Sequence, residues 1–298
     1  MAVRNSPSNR WKGYLFVILA ATMWGTNGVV AKHLFNHGVS PSMLVQISSA
    51  LAFLILFTTL ALFKRELIKI SKKDLLFMVT FAIGGMGMVN FMYFTTLTKT
   101  NVATAVLLQY TGPVFIAIFA VSFQGEQLTR VKVISLALAF WGCFFMVGGY
   151  NPELLKLNAV GLTCGLTAAL FYAFYTLYGE WGLRRYSPWT MVVYAFGFIA
   201  LFWALFVTPW EVSQRGLPLT KWPYFLYVAI VGTAVPFGLY FQGIKYIRAT
   251  RASITSILEP IVAGVVSYFL LGESLFFPQI VGGISVITAI FLLQAERG

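Results

Sequence analysis

The chain has 298 residues, of which 59% are hydrophobic and only 10% charged, and its formal net charge at pH 7 is +12. A soluble domain needs a charged surface that this composition cannot supply, so the sequence reads as a polytopic membrane protein. The cations fall in short segments between apolar stretches, which argues against nucleic-acid binding and makes them a topology signal.

A span needs roughly 20 apolar residues to cross a hydrocarbon core about 30 Å thick. Ten such stretches are predicted, at about 13–36, 41–63, 74–98, 101–122, 130–149, 158–180, 187–209, 221–246, 249–271 and 276–294. The basic start (Arg4, Arg10, Lys12) runs into span one with no cleavage pattern, so that span is expected to stay as an anchor. Further along span one, Trp24-Gly25-Thr26-Asn27 sets Trp24 and Asn27 three apart on one face. Asn27 brings donors and an acceptor to mid-depth, fit either to grip a polar ligand or to tie spans together. Lys32, His33 and His37 close the span, with Lys32 expected to snorkel to the interface. The basic loop from Lys64 to Lys73 is expected to lie beside anionic headgroups. Span three offers Asn90 and Tyr93 after close-packing Gly84, Gly85 and Gly87; span four offers Gln109 and Tyr110 just before Pro113.

Cys143 and Cys164, inside spans five and six, read as small apolar fillers. Span six carries Tyr172, Tyr175 and Tyr178 at a spacing of three, a stripe that either packs on neighbouring spans or lines a pocket. Tyr172 and Tyr175 are kept as pocket walls, whose ring faces would suit aromatic or quaternary cationic ligands. Span eight adds Tyr240 and Gln242 after Pro236. In span nine Glu259 is the acid near mid-membrane, and Pro260 directly after it removes a donor and disfavours helix at Glu259 itself. An acid at that depth is either a proton carrier or counter-ion for a cationic group, or a locally paired group stabilising a kinked helix. Glu126 and Glu273, each after a glycine, are expected as structural caps or symmetry-related gate contacts.

The chain also contains itself twice. Gly-Pro-Val-Phe at Pro113 followed by Gly125-Glu126 matches Glu-Pro-Ile-Val at Pro260 followed by Gly272-Glu273, with 260 − 113 = 147. Tyr93-Phe94 matches Tyr240-Phe241, and Ser40-Pro41 matches Ser187-Pro188, at the same offset; Trp24 pairs with Tyr172 one residue out of register. The division is therefore 1–150 (spans one to five) and 151–298 (spans six to ten), joined at the turn-rich Gly148-Gly149-Tyr150-Asn151-Pro152. Five spans per half is odd, so the two copies are expected in opposite orientations, the construction of alternating-access transporters. With both termini cytoplasmic, most cations fall inside, leaving Lys32, Lys99, Lys156, Arg215 and Lys221 outside.

The inverted repeat, Trp24-Gly25-Thr26-Asn27, the Pro113 to Gly125-Glu126 stretch and Leu258-Glu259-Pro260 to Gly272-Glu273 together resemble the EamA-type branch of the drug/metabolite transporter superfamily, over about 13 to 294. The resemblance implies an all-α integral membrane fold of ten helices, with a central pathway lined by spans one, three, four, six, eight and nine and with spans five and ten at the periphery. It departs from internal symmetry at Gly112, which stands where Glu259 does in the second half. The expected function is secondary transport of a small metabolite across the cytoplasmic (inner) membrane, amino-acid export first, with Glu259 as proton or amine partner. The expected substrate contacts are Trp24, Asn27, Asn90, Tyr93, Gln109, Tyr110, Tyr172, Tyr175, Tyr240, Gln242 and Glu259. Uptake of choline-like quaternary amines is the nearest rival, and a polytopic membrane enzyme a remote one, since no His-Glu-x-x-His pattern occurs. The expected partners are a small-molecule substrate and the lipid bilayer, not nucleic acid, with no cofactor or metal and with the chain acting as monomer or homodimer.

Overall fold

The computed structural model describes residues 7–152, 158–207, 218–271 and 276–296, and among them there is helix and turn but no strand. Among the described residues, seven helical stretches are long and apolar enough to cross a membrane: Asn9–Asn36, Pro41–Phe63, Lys72–Lys99, Val102–Gln124, Ala159–Gly182, Leu219–Ser256 and Phe277–Ala295. Pro188–Trp203 is a shorter apolar helix. The ten expected spans are thus not ten uninterrupted helices, because several are shortened or broken for local reasons.

In the first half, α1 is Pro7–Asn36 and α2 Pro41–Phe63. The third span is α3 (Leu75–Phe81), a π-helical turn at Ala82–Gly87, then α4 (Met88–Lys99). The fourth is broken into α5 (Val102–Gln109) and α6 (Gly112–Gln124), and α7 (Arg130–Met146) follows. The second half repeats this order with α8 (Ala159–Gly182), α9 (Pro188–Trp203), α10 (Trp222–Tyr227), a π-helical turn at Val228–Ala234, α11 (Val235–Ser256), α12 (Glu259–Leu271) and α13 (Phe277–Ala295). Both Ser-Pro turns start helices in the same way. The Ser40 hydroxyl accepts from Met43 N and the Ser187 hydroxyl from Thr190 N, with proline in the first turn, where its missing N–H costs nothing.

Spans eight and nine run into one another. Helix α11 turns at Arg248, which holds φ 68° and ψ 166° inside the helix, and the expected ninth span then stops at Ser256 and restarts at Glu259. Pro260 explains the restart, since it cannot donate to the preceding turn and sits comfortably in a first turn. The fourth span breaks at Tyr110–Thr111, just before Pro113. Two discontinuous helices therefore meet at mid-depth, one from each half, the arrangement that leaves backbone groups available around a cavity.

Helix α1 packs along α11, α4 on α8, α2 on α9, and α7 chiefly on α13. The outer faces are apolar and exposed, as with Ile280, Ile284, Ile287 and Phe291 on α13, which suits contact with lipid. Both thiols are free. Tyr14 Oη donates to Leu293 O at 2.8 Å, so the start of α1 and the end of α13 lie at the same end of the bundle. Gly25 lets α1 close on the start of α12: a Cβ there would stand 2.9 Å from both Glu259 O and Val262 Cβ. Gly25→Val should therefore lower the thermal unfolding midpoint of the detergent-solubilised protein, at about 1–3 kcal/mol of overpacking. Gly84→Ala, where the nearest atoms lie 3.9–4.0 Å away, should leave it near wild type. Equal midpoints for the two variants would show that the α1–α12 contact is not tight.

Candidate functional site

The two helix breaks face each other across a central cavity. Its wall is built by Trp24 and Asn27 of α1, Asn90 and Tyr93 of α4, Gln109 and Tyr110 at the end of α5, Tyr172 and Tyr175 of α8, and Glu259 at the start of α12. Nine of the eleven residues expected from sequence thus share one cavity. Tyr240 stands just behind it, its ring centroid 5.3 Å from that of Trp24 and its hydroxyl bonded to Tyr172. Gln242 does not line the cavity; it is half-buried elsewhere on α11, because two residues further along a helix turn a side chain to a different face.

Hydrogen bonds knit the breaks together. Tyr110 Oη lies 2.7 Å from Ser256 O and 2.7 Å from Glu259 Oε2. Tyr172 Oη lies 2.8 Å from Ser256 Oγ and 3.0 Å from Tyr240 Oη, which in turn is 3.3 Å from Thr176 Oγ1. A tyrosine hydroxyl owns one proton, and a backbone carbonyl only accepts. When Glu259 carries a proton it can donate to Tyr110, which then donates to Ser256 O, and every group is satisfied. When Glu259 is ionised, one Tyr110 proton must serve two acceptors. The geometry therefore distinguishes the two protonation states by what holds the break in span nine together.

Three polar atoms of the wall are buried with no hydrogen-bond partner: Asn27 Oδ1, Tyr93 Oη and Gln109 Oε1. Such orphans are costly in an apolar interior, and the residues that carry them line the same space as Glu259. Among the described residues, no Lys, Arg or His is part of the lining. The open space is ≈ 40 Å³, so the walls must part before anything larger than a few waters can bind. A larger cavity of ≈ 540 Å³ lies beyond Glu259, lined by Val29, Lys32, His33 and Asn36 of α1 and by Pro260 and Gly264 of α12.

Several residues behave differently from expectation, or were not foreseen. Lys32 Nζ donates to Thr100 O at 2.8 Å and to Leu97 O, capping the end of α4. Tyr178 leaves the cavity and packs on Phe77, Phe174 and Trp181. Glu126 is a buried contact, bonded to Lys132 and to Thr250 of α11, while Glu273 lies outside the described residues. Gly112 has no counterpart carboxyl because the Tyr172 ring fills the space that a side chain there would need. Ser256, Thr176, Gly232 and Phe237 complete the site. Ser256 sits in a run of hydroxyls, Thr250, Ser253, Thr255 and Ser256, over the nine residues before Glu259, and nothing in that run marks it out from its neighbours.

Comparison with known proteins matches the profile described as the EamA-like transporter family twice, at residues 11–148 and 159–294. The uncharacterized inner membrane transporter YicL of Salmonella typhimurium is 30% identical over 96% of this chain and 96% of its own length. The threonine/homoserine exporter RhtA of Escherichia coli is 26% identical over 88% of this chain and 83% of its own. One solved structure, 16% identical, superimposes with a TM-score of 0.73 over 94% of this chain and 95% of its own, a likeness of fold alone.

Tyr110→Phe keeps the ring and strips Ser256 O and Glu259 of their common partner. It should cost roughly 1–3 kcal/mol of unfolding free energy, read as a lowered thermal midpoint. Thr176→Val, losing the 3.3 Å contact to Tyr240, should lower it less. The reverse order would mean that the hydroxyls around Tyr240, not those around Glu259, hold the centre.

Proposed function

Because the chain belongs to the EamA-like transporter family, we propose that it is a multi-pass secondary transporter of the inner membrane that exports amino acids by alternating access. Two inverted five-span halves rock about the cavity at Glu259, with both termini cytoplasmic. The doubled family match, the repeated π-helical turns and the paired breaks in spans four and nine support this construction. The π turns supply backbone slack where spans three and eight must move. Helix α4 packs on α8 and α1 on α11, so each half leans on the other and the cavity lies on their boundary.

The observation that carries the substrate reading is a wall with two unpaired acceptors beside one carboxyl. Asn27 and Gln109, whose Oδ1 and Oε1 have no donor, line the same space as Glu259, whose carboxyl has only Tyr110 as its side-chain donor, and among the described residues no side-chain cation lines that space. An ammonium with N–H bonds satisfies them; a quaternary ammonium has none to give, so it would leave the orphans unpaired. The amide N–H groups of Asn27, Asn90 and Gln109 and the Tyr93 hydroxyl are left for a carboxylate, and Trp24, Tyr172 and Tyr175 supply apolar walls and ring faces. A relative named as a threonine/homoserine exporter, matching nearly the full chain, is in keeping with this.

The same geometry supports proton coupling. An arriving ammonium displaces the Glu259 proton to the cytoplasmic side and pairs with the carboxylate; once the substrate has left, Glu259 takes up a proton from the outer side and the Glu259–Tyr110–Ser256 arrangement is restored. The cavity beside Pro260 lies at the end of the bundle opposite the chain ends. The family assignment is also what favours a transporter over a membrane enzyme.

Proteoliposomes loaded with threonine or homoserine test the reading. Wild type should release substrate faster when a pH gradient is imposed, and Glu259→Gln should lose the gradient response and slow transport about tenfold, ~1.4 kcal/mol. A primary amine such as propylamine should compete, and tetramethylammonium should not. Competition by tetramethylammonium alone would turn the assignment to quaternary amines. Unchanged transport and pH response in Glu259→Gln would remove the carboxyl from the mechanism.

A further inference from the structure

At the end of the bundle that carries both termini, three helices converge on a pocket of ≈ 320 Å³ separate from the central cavity. Four cations line it, Arg10 of α1, Lys132 of α7, and Arg248 and Arg251 of α11, against a single carboxylate, Glu126. Much of this charge is already engaged. Lys132 Nζ bonds Glu126 Oε1 at 2.8 Å and Gln127 O at 2.9 Å; Arg251 Nη2 bonds Glu296 at 2.6 Å; and Arg248 Nε reaches Glu180 at 3.3 Å. What remains is telling. Arg10 Nη2 and Arg251 Nε are buried and have no partner. A guanidinium N–H buried without an acceptor forfeits a charge-assisted hydrogen bond, among the stronger ones available.

We propose that this pocket is a binding site for a phosphate-type oxyanion. The chemistry selects that class. Unused donors come from two arginines on different helices, with the Lys132 ammonium on a third, so the ligand must present oxygens in more than two directions. A tetrahedral phosphate does so, whereas a planar carboxylate offers two oxygens in one plane. The level in the membrane fits both sources of such a group. Exposed Trp11 directly follows Arg10, and Leu15 and Leu19 continue the exposed apolar face of α1, so the pocket sits at the boundary between headgroups and water. A phosphomonoester headgroup and free phosphate carry the same recognised chemistry.

The site also joins elements that must separate if this end opens. Arg248 is the one non-glycine residue with positive φ among the described residues, and its φ 68°, ψ 166° belongs to a region that side chains avoid. Such a backbone persists where the surroundings over-determine it. An oxyanion bridging α1, α7 and α11 adds to that determination and holds this end closed.

The experiment follows thermal unfolding of the purified full-length protein. One arm titrates inorganic phosphate at constant ionic strength with chloride as reference; the other compares phosphatidylcholine nanodiscs with and without phosphatidic acid. Wild type should be stabilised in at least one arm, and Arg10→Gln and Arg251→Gln should each weaken the half-saturating concentration by about tenfold. Arg184→Gln, an exposed cation away from the pocket, should not. Stabilisation by phosphatidic acid alone identifies a lipid headgroup as the source, and stabilisation by inorganic phosphate alone identifies a soluble one. No stabilisation in either arm, or the same stabilisation in wild type and Arg10→Gln, overturns the proposal. Arg10 makes no side-chain bond that folding would lose, so that variant decides the matter even if Arg251→Gln, deprived of its Glu296 pair, does not fold.

Discussion

A carboxyl group placed in the middle of an apolar bundle must be bonded within the protein, and the centre of this molecule is arranged around that requirement. A polar group left unpaired in hydrocarbon costs several kcal/mol, and Glu259 is met by Tyr110 from the opposite half. The same hydroxyl reaches Ser256 O at the end of α11, so one tyrosine spans the break in span four and the break in span nine. Tyr172 and Tyr240 extend the contact through Ser256 Oγ to α8 and the middle of α11. Whatever changes the bonding of Glu259 therefore acts directly on the junction of two discontinuous helices.

Much of this was legible in the chain because membrane interiors make polar residues conspicuous. Asn27, Asn90, Gln109 and Glu259 stand out against an apolar background, and each has a physical reason to meet the others. The duplicated prolines pointed to the breaks, since Pro113 and Pro260 forbid the same turn in the two halves. Ser256 and Thr176 were hidden because a hydroxyl can return its hydrogen bond to its own helix, as Ser256 Oγ does to Ser253 O, and so carries no penalty that singles it out. Phe237 and Gly232 read as ordinary packing, and only the fold shows them beside Trp24 and Asn27. Gln242 failed for a geometric reason: proximity in sequence to Tyr240 does not survive two steps around a helix.

The halves are copies in outline and unequal in chemistry. Where the second half has Glu259, the first has Gly112, and the Tyr172 ring lies against that glycine. A second carboxyl at that position would displace Tyr172 from Ser256 and Tyr240 and would set two acids in one cavity, which cannot both ionise cheaply. One acid and one ring give a site with a single ionisable centre and an aromatic wall, a division of labour that duplication alone does not produce.

The ion pairs at the end bearing the termini differ in what they resist. Glu126 and Lys132 are both nearly buried, with side-chain exposures of 4% and 11%, and removing one partner of such a pair typically costs 3–5 kcal/mol. Yet these two residues lie across a single turn between α6 and α7, so they travel together and need not part when helices move. Arg185 and Asp74, with the arginine 52% exposed, link different spans but in water are worth about 0–1 kcal/mol. The contacts that tie this end together are the ones that cross between helices and are largely dry: Thr250 to Glu126 at 3.0 Å, and Arg251 to Glu296 at 2.6 Å. Each is a hydrogen bond to a charged group, worth roughly 1.5–3 kcal/mol. These two bonds fix α11 against the α6–α7 turn and against the end of α13 more firmly than the exposed pair does.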